Sequence, residues 1–170
     1  ADPEASAQLA EVRSALHQYL GASSSWVTEE HPGLERGTIA YFCAEFGLHE
    51  SVPLYSGGLG VLAGDHLKTA SDLGIPLVAI GLRYTEGYFR QSVDANGHQV
   101  EAYPHTDWST FPARPVMNGS SPLELEVPAG DRVIRVRAWR VDVGRVPLYL
   151  LDTDHPHNNP HDRAVGQRLY

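Results

Sequence analysis

Leu9, Val12, Leu16 and Leu20 recur at spacings of three and four between polar residues. That is the repeat of one helical face, and it predicts an amphipathic helix over 5–20. Gly21 and the run Ser23-Ser24-Ser25 break it, and an irregular stretch is expected from Trp26 through Pro32-Gly33. Ile39–Ala44 is a short apolar run with aromatic content, the pattern of a buried parallel strand. Gly47 and Pro53 make Phe46–Ser56 a loop. Downstream, Leu59, Leu62, Ala63, Leu67, Ala70 and Leu73 share one face of a predicted helix, whereas Asp65, Lys68 and Asp72 face elsewhere. Gly74 is placed to stop it. Ile75–Leu82 then has the pattern of a second buried strand. Strand, loop, helix and strand predict a βαβ unit, its strands parallel and its crossover right-handed.

The pattern changes after Asp94-Ala95-Asn96-Gly97. Residues 101–122 carry Pro104, Pro112, Pro115 and Pro122 and are expected to be rich in loops. Leu123–Val127, Arg132–Val141 and Val146–Leu151 follow, separated by the turn signals Pro128–Asp131 and Asp142–Arg145. They predict an antiparallel meander, with Arg135 and Arg137 on a wet face and Ile134, Val136 and Ala138 on a dry one. The fold class is therefore α/β with an antiparallel β meander. Three stretches of one incomplete domain are expected: 1–37, a helix and connector; 38–100, the βαβ core; and 101–170, loops and antiparallel strands ending in a short helix.

A chain of 170 residues can bury a real core, and 42% hydrophobic with 20% charged residues is ordinary for a globular protein. The net charge of −8 argues against a nucleic-acid partner. No apolar run reaches the roughly 20 residues that span a bilayer. The acidic start Ala1-Asp2-Pro3-Glu4 has no signal-peptide pattern, so the cytoplasm is the expected compartment. Cys43 is the only cysteine, which excludes an internal disulfide and reads as a buried, inert thiol. Lys68 is the only lysine. The tail carries His155, His157 and His161 among aspartates and prolines, but without helical H-x-x-x-H or zinc-finger spacing. A solvated loop leading into a short helix from Asp162 is expected, and no metal site.

The chemistry concentrates at Ser56-Gly57-Gly58-Leu59-Gly60. Glycines there let a ligand approach the backbone where a Cβ would collide. A helix starting at this point turns its unpaired N–H groups and positive dipole end toward an anion, most often a phosphate. The alternative reading is that the glycines only allow tight packing. Gly58-x-Gly60-x-x-Ala63 formally matches the dinucleotide fingerprint, but about a dozen loop residues separate it from the first strand. The second strand also ends without an acid, at Leu82-Arg83-Tyr84, which speaks against NAD. No nucleotide-triphosphate loop G-x-x-x-x-G-K-[ST] occurs.

Tyr41-Phe42-Cys43-Ala44-Glu45-Phe46-Gly47, followed by Ser56-Gly57-Gly58-Leu59-Gly60 and Gly64-Asp65-His66-Leu67-Lys68, resembles the α-glucan phosphorylases. The similarity is to their bacterial and archaeal branch. It continues through Ser71–Gly74, Gly87–Gln91, Asn96–Glu101 and Leu150–Asp154, covering most of 38–170. The resemblance implies part of the N-terminal Rossmann-like half of a GT-B glycosyltransferase. It implies an enzyme that cleaves α-1,4-glucan ends with phosphate to release glucose 1-phosphate, using pyridoxal 5'-phosphate. It assigns Gly57, Gly58 and Leu59 to the phosphate and glucosyl site through their amides, with Gly58 also facing the cofactor. Glu45 matches an acid bordering the cleft; the alternative reading is a carboxylate that orders the loop by accepting backbone N–H bonds.

By the same resemblance the Schiff-base lysine lies in a C-terminal half absent here, and Lys68 does not match it. The chain alone is expected to be inactive, with no catalytic residue and no cofactor bound. Its implied partners are α-1,4-glucan, phosphate and the missing half, and a homo-oligomer stays open. Ser56 stands where many members have asparagine, Gly47 where animal-type members have tyrosine, and His98 in place of a tryptophan. Two rivals differ from this reading. A glycogen or starch synthase would carry a lysine two residues before the glycine pair, where this chain has Tyr55. A non-catalytic carbohydrate-binding module would expose an aromatic platform, with Tyr84, Tyr88 and Trp108 as candidates.

Overall fold

The computed structural model describes residues 2–170. Helix α1 (Pro3–Gly21) starts where the Asp2 carboxylate accepts from the Glu4 amide at 3.0 Å and Pro3 presets the first turn. A five-residue helix α2 (Trp26–Glu30) replaces the irregular stretch expected there. Ser25 caps it through a capping box closed by Thr28, and Val27 is buried beneath it. The signal was easy to miss because threonine stands where the usual box has Glu or Gln. A 3₁₀ turn, Leu34–Arg36, leads into strand β1 (Ile39–Phe42).

Helix α3 (Gly58–Leu73) joins β1 to β2 (Leu77–Leu82), and the two strands pair in parallel as predicted. Gly74 ends α3 at φ +71°, a left-handed conformation that glycine adopts without strain, so the predicted stop holds. A hairpin of β3 (Arg90–Val93) and β4 (Gln99–Ala102) turns at Asp94–Gly97. Short strands β5 (Ala113–Pro115), β6 (Met117–Asn118) and β7 (Ser121–Pro122) occupy the stretch expected to be mostly loop. The meander is present as β8 (Glu124–Ala129), β9 (Arg132–Val143) and β10 (Val146–Asp152), each antiparallel to its chain neighbour. Helix α4 (Pro160–Arg163) and a 3₁₀ turn close the chain.

β10 also pairs in parallel with β2, so the meander and the βαβ unit share one six-stranded sheet in the order β1-β2-β10-β9-β5, with β8 pairing β9. The result is a mixed α/β fold. Ala63, Leu67 and Ala70 of α3 pack on Leu77, Ala79, Val141, Leu148 and Leu150 of the sheet, forming the core.

Three elements depart from the burial expected of them. β1 is an edge strand with a single neighbour, and Phe42 is 70% exposed on it. Leu59 and Leu62 are exposed, and α3 instead buries Gly60, Ala63, Gly64, Leu67, Ala70 and Ser71. A stripe chosen by leucine is rotated from the true one because α3 presses closely on loop backbone, where only small residues fit. The tail is also partly buried: His155 is 1% exposed, and Asn158 and Asp162 are buried beside it. The short helix begins at Pro160 rather than Asp162, with Asn159 capping it.

Arg83, just past β2, lies between two indoles, its guanidinium 4.5 Å from the Trp139 ring centre and 5.2 Å from that of Trp108. It also donates to Asp152 at 3.0 Å. Arg83→Met would leave that buried carboxylate without its cation and remove the stacked guanidinium. We expect a loss of about 2 kcal/mol, read as a fall of roughly 4–8 °C in thermal midpoint.

Candidate functional site

After β1 the backbone folds back beneath the first turn of α3. Phe46 N donates to Leu54 O at 2.9 Å and Gly47 N to Gly60 O at 2.7 Å. The two segments touch through glycine: a Cβ on Gly64 would lie 2.1 Å from Gly47 O, and one on Gly60 would lie 2.3 Å from Tyr55 Cβ and 2.9 Å from Glu45 Oε2. At these two positions, tight packing is the reason for glycine. Gly57 and Gly58 differ. A Cβ on either meets nothing within 4 Å, and neither has positive φ. Nothing in this chain's own fold requires glycine there.

Glu45, 1% exposed, lies under this bend. Its carboxylate accepts from Ser56 N at 3.0 Å, Ser56 Oγ at 3.2 Å, Gly57 N at 3.4 Å and Tyr170 Oη at 2.5 Å. Burial pushes this carboxyl upward, but the donations from Tyr170, Ser56 and Gly57 outweigh it and hold Glu45 below the ordinary range. Tyr84 donates to Ala44 O at 3.0 Å; burial first, and then the negative charge of Glu45, push its phenol up to about 12. Because the Glu45 carboxyl is depressed on folding, its contribution to stability is present at neutral pH. It is lost as pH falls below the ordinary carboxylate value and through the folded one.

Of the three amides singled out, that of Gly57 is thus partly committed to Glu45. Among the described residues, the amides of Gly58 and Leu59 have no acceptor, and the helical ladder begins with Val61 N donating to Gly57 O at 3.2 Å. Gly57, Gly58 and Leu59 are all exposed. An apolar hollow of about 340 Å³ opens at the carboxyl ends of β1, β2 and β10, lined by Phe42, Cys43, Ile80, Leu82 and Leu151 among others. Cys43 is therefore only half-buried, against the expectation of a buried thiol.

Lys68 is exposed on α3, ten residues beyond Gly58 and so about 15 Å along the axis. Tyr84 and Trp108 are buried, with Trp108 Nε1 donating to Tyr84 O at 2.8 Å, so the three aromatics form no exposed platform. In the tail, His155 Nδ1 accepts from His157 N at 3.2 Å, which leaves Nε2 protonated and donating to Glu124 at 3.0 Å. Both ring nitrogens are spent inside the fold. Tyr170 is the residue that sequence reasoning missed. It lies 125 positions from its partner Glu45, and no local pattern connects the two.

Residues 48–139 match the family described as carbohydrate phosphorylase. The chain belongs to the carbohydrate phosphorylase family. Residues 1–52, containing α1 and α2, match a second family, described as "Protein of unknown function (DUF3417)". The maltodextrin phosphorylase of Thermococcus litoralis is 50% identical over 156 residues, covering 91% of this chain and 19% of that protein. The glycogen phosphorylase of Mycobacterium tuberculosis is 47% identical over 175 residues, covering 99% of this chain and 20% of its own length. That of Aquifex aeolicus is 38% identical over 133 residues, or 78% of the chain and 19% of the relative. The chain spans about a fifth of the length of the curated relatives it matches. Among its described residues, no helix is long and apolar enough to cross a membrane.

Proposed function

We propose that this chain is the part of an α-1,4-glucan phosphorylase that presents backbone amides to phosphate and to the terminal glucosyl unit. The observation that carries this reading is the empty space at Gly57 and Gly58. Glycine is dispensable to the fold at both positions, and it leaves a route to the free amides of Gly58 and Leu59 for a group from outside the chain. Those amides and the dipole of a 16-residue helix converge on one spot. Fixed dipoles of this kind stabilise an anion without reorganising when it arrives. Gly57 contributes less, since its N–H is shared with Glu45. Glu45 itself acts by holding the bend: a second anion resting on its carboxylate would be repelled.

In the whole protein the βαβ unit would be part of a Rossmann-like half of a GT-B enzyme. The meander would be its insertion, with boundaries near 38 and 101. The relatives' activity implies phosphorolysis to glucose 1-phosphate in the cytoplasm, with pyridoxal 5'-phosphate as cofactor. The residues present do not supply that cofactor's covalent anchor, because Lys68 is the only lysine and lies about 15 Å along α3 from Gly58. The lysine therefore comes from the remainder of the polypeptide.

The 170-residue chain alone should release no glucose 1-phosphate from maltodextrin and phosphate, whereas the full-length protein should. Full-length enzyme should saturate with inorganic phosphate and be indifferent to ADP-glucose. Saturation by ADP-glucose instead would assign a synthase. Maltooligosaccharides should leave the tryptophan fluorescence of the chain unchanged, since Trp108 is buried and the exposed Trp26 follows Ser25 at the Gly74 end of α3; a saturable change would support a binding module.

A further inference from the structure

Tyr170 is 68% exposed, yet its hydroxyl reaches a carboxylate buried beneath the glycine bend. The tail is held in place to deliver it. Thr85 N donates to Gly166 O at 3.0 Å, Glu86 N to Gln167 O at 2.9 Å, and Leu169 N to Gly87 O at 3.1 Å. Arg168 pairs with Glu86 at 2.6 Å and lies over the Tyr103 ring. The last residues thus run alongside 85–87 and place the phenol on Glu45 Oε1. The opposite oxygen, Oε2, receives the amides of Ser56 and Gly57, the two residues immediately before Gly58.

We propose that Tyr170 is a positioning residue for the phosphate-binding bend, acting through Glu45. This rests on the reading of that bend given above. Besides Tyr170, Oε1 receives only the Ser56 hydroxyl, at 3.2 Å, so the closer Tyr170 hydroxyl is the main donor that fixes this side of the carboxylate and keeps it charged. The groups facing the carboxylate are Tyr170 from the tail, Tyr84 from the segment after β2, and Ser56 and Gly57 from the glycine bend. Of these, the tyrosine hydroxyl at 2.5 Å is the shortest contact. When it is lost, the bend spends part of its time out of register. Apparent phosphate affinity falls by the fraction of time the bend is competent, while turnover of the loaded enzyme is unchanged.

The test uses full-length enzyme with inorganic phosphate as the varied substrate. Tyr170→Phe should raise the phosphate KM about tenfold, the loss of one charge-assisted hydrogen bond, with kcat within about twofold. The acid limb of kcat/KM should move to higher pH, because Glu45 loses a donor that holds its carboxyl down; a merely structural tyrosine would lower the thermal midpoint and leave that limb in place. In a Glu45→Gln background, which has no charge to hold, the effect of Tyr170→Phe should shrink to about twofold or less. An unchanged KM and acid limb in Tyr170→Phe would overturn the proposal, as would an undiminished effect in the glutamine background. Gly58→Ala measured alongside separates the two readings. If it raises the phosphate KM and Tyr170→Phe does not, the tyrosine has no such role; if neither does, the bend itself is not the phosphate site.

Discussion

Gly58→Ala in the full-length protein is expected to cut phosphorolysis about a hundredfold while leaving the thermal midpoint within a few degrees of wild type. The two halves of this result come from different places. Within the fold, a methyl on Gly58 has nothing within 4 Å to strike, and the residue begins α3 with helical backbone that alanine prefers. Stability should therefore hold or rise by up to about 1 kcal/mol. In the site, the same methyl stands where an anion would reach the Gly58 and Leu59 amides. A displacement of about 1 Å of a reacting group costs on the order of 10²-fold in rate. Phosphate and maltodextrin kinetics beside a thermal melt decide it. Full activity in a stable variant would mean the open space serves no ligand.

Gly64→Ala, six residues on, should do the opposite and fail at folding. Helix propensity alone would make it favourable by roughly 1 kcal/mol. Its Cβ, however, would lie 2.1 Å from Gly47 O and 2.6 Å from Gly47 C, both backbone atoms. Gly47 cannot retreat easily, since its N–H is tied to Gly60 O at 2.7 Å. Nor can α3, whose Ala63 and Leu67 are fully buried against the sheet. We expect about 3 kcal/mol of destabilisation or more, a fall of at least roughly 6–12 °C in thermal midpoint or loss of soluble protein. A variant as stable as wild type would show that α3 and the 45–47 loop are not in close contact. Near neighbours in one glycine-rich motif thus differ: Gly60 and Gly64 are required by packing, whereas Gly57 and Gly58 are not and are proposed to give a ligand access.

That division was not legible in the sequence, where the motif reads as one glycine loop. The βαβ unit was legible, because Gly74 marks a helix end and the strands on either side are continuous apolar runs. The meander was legible for a similar reason: its turn signals fall between alternating segments. What escaped was everything set by contacts distant in sequence. The face of α3 is chosen by the 45–47 loop, so small residues rather than Leu59 and Leu62 turn inward. The parallel pairing of β10 with β2 joins residues about 70 apart and has no local mark. Tyr170 is the extreme case, tied to Glu45 by one hydroxyl across nearly the whole chain. The glycine bend and its carboxylate Glu45 could be found from sequence; the phenol that holds them could be read only from the fold.

The most direct measurement is a structure of the full-length protein with inorganic phosphate bound, inspected at the amides of Gly58 and Leu59. Phosphate oxygens within about 3.2 Å of both nitrogens are the expected result. Phosphate bound elsewhere, or those two amides capped by another part of the polypeptide, would contradict it.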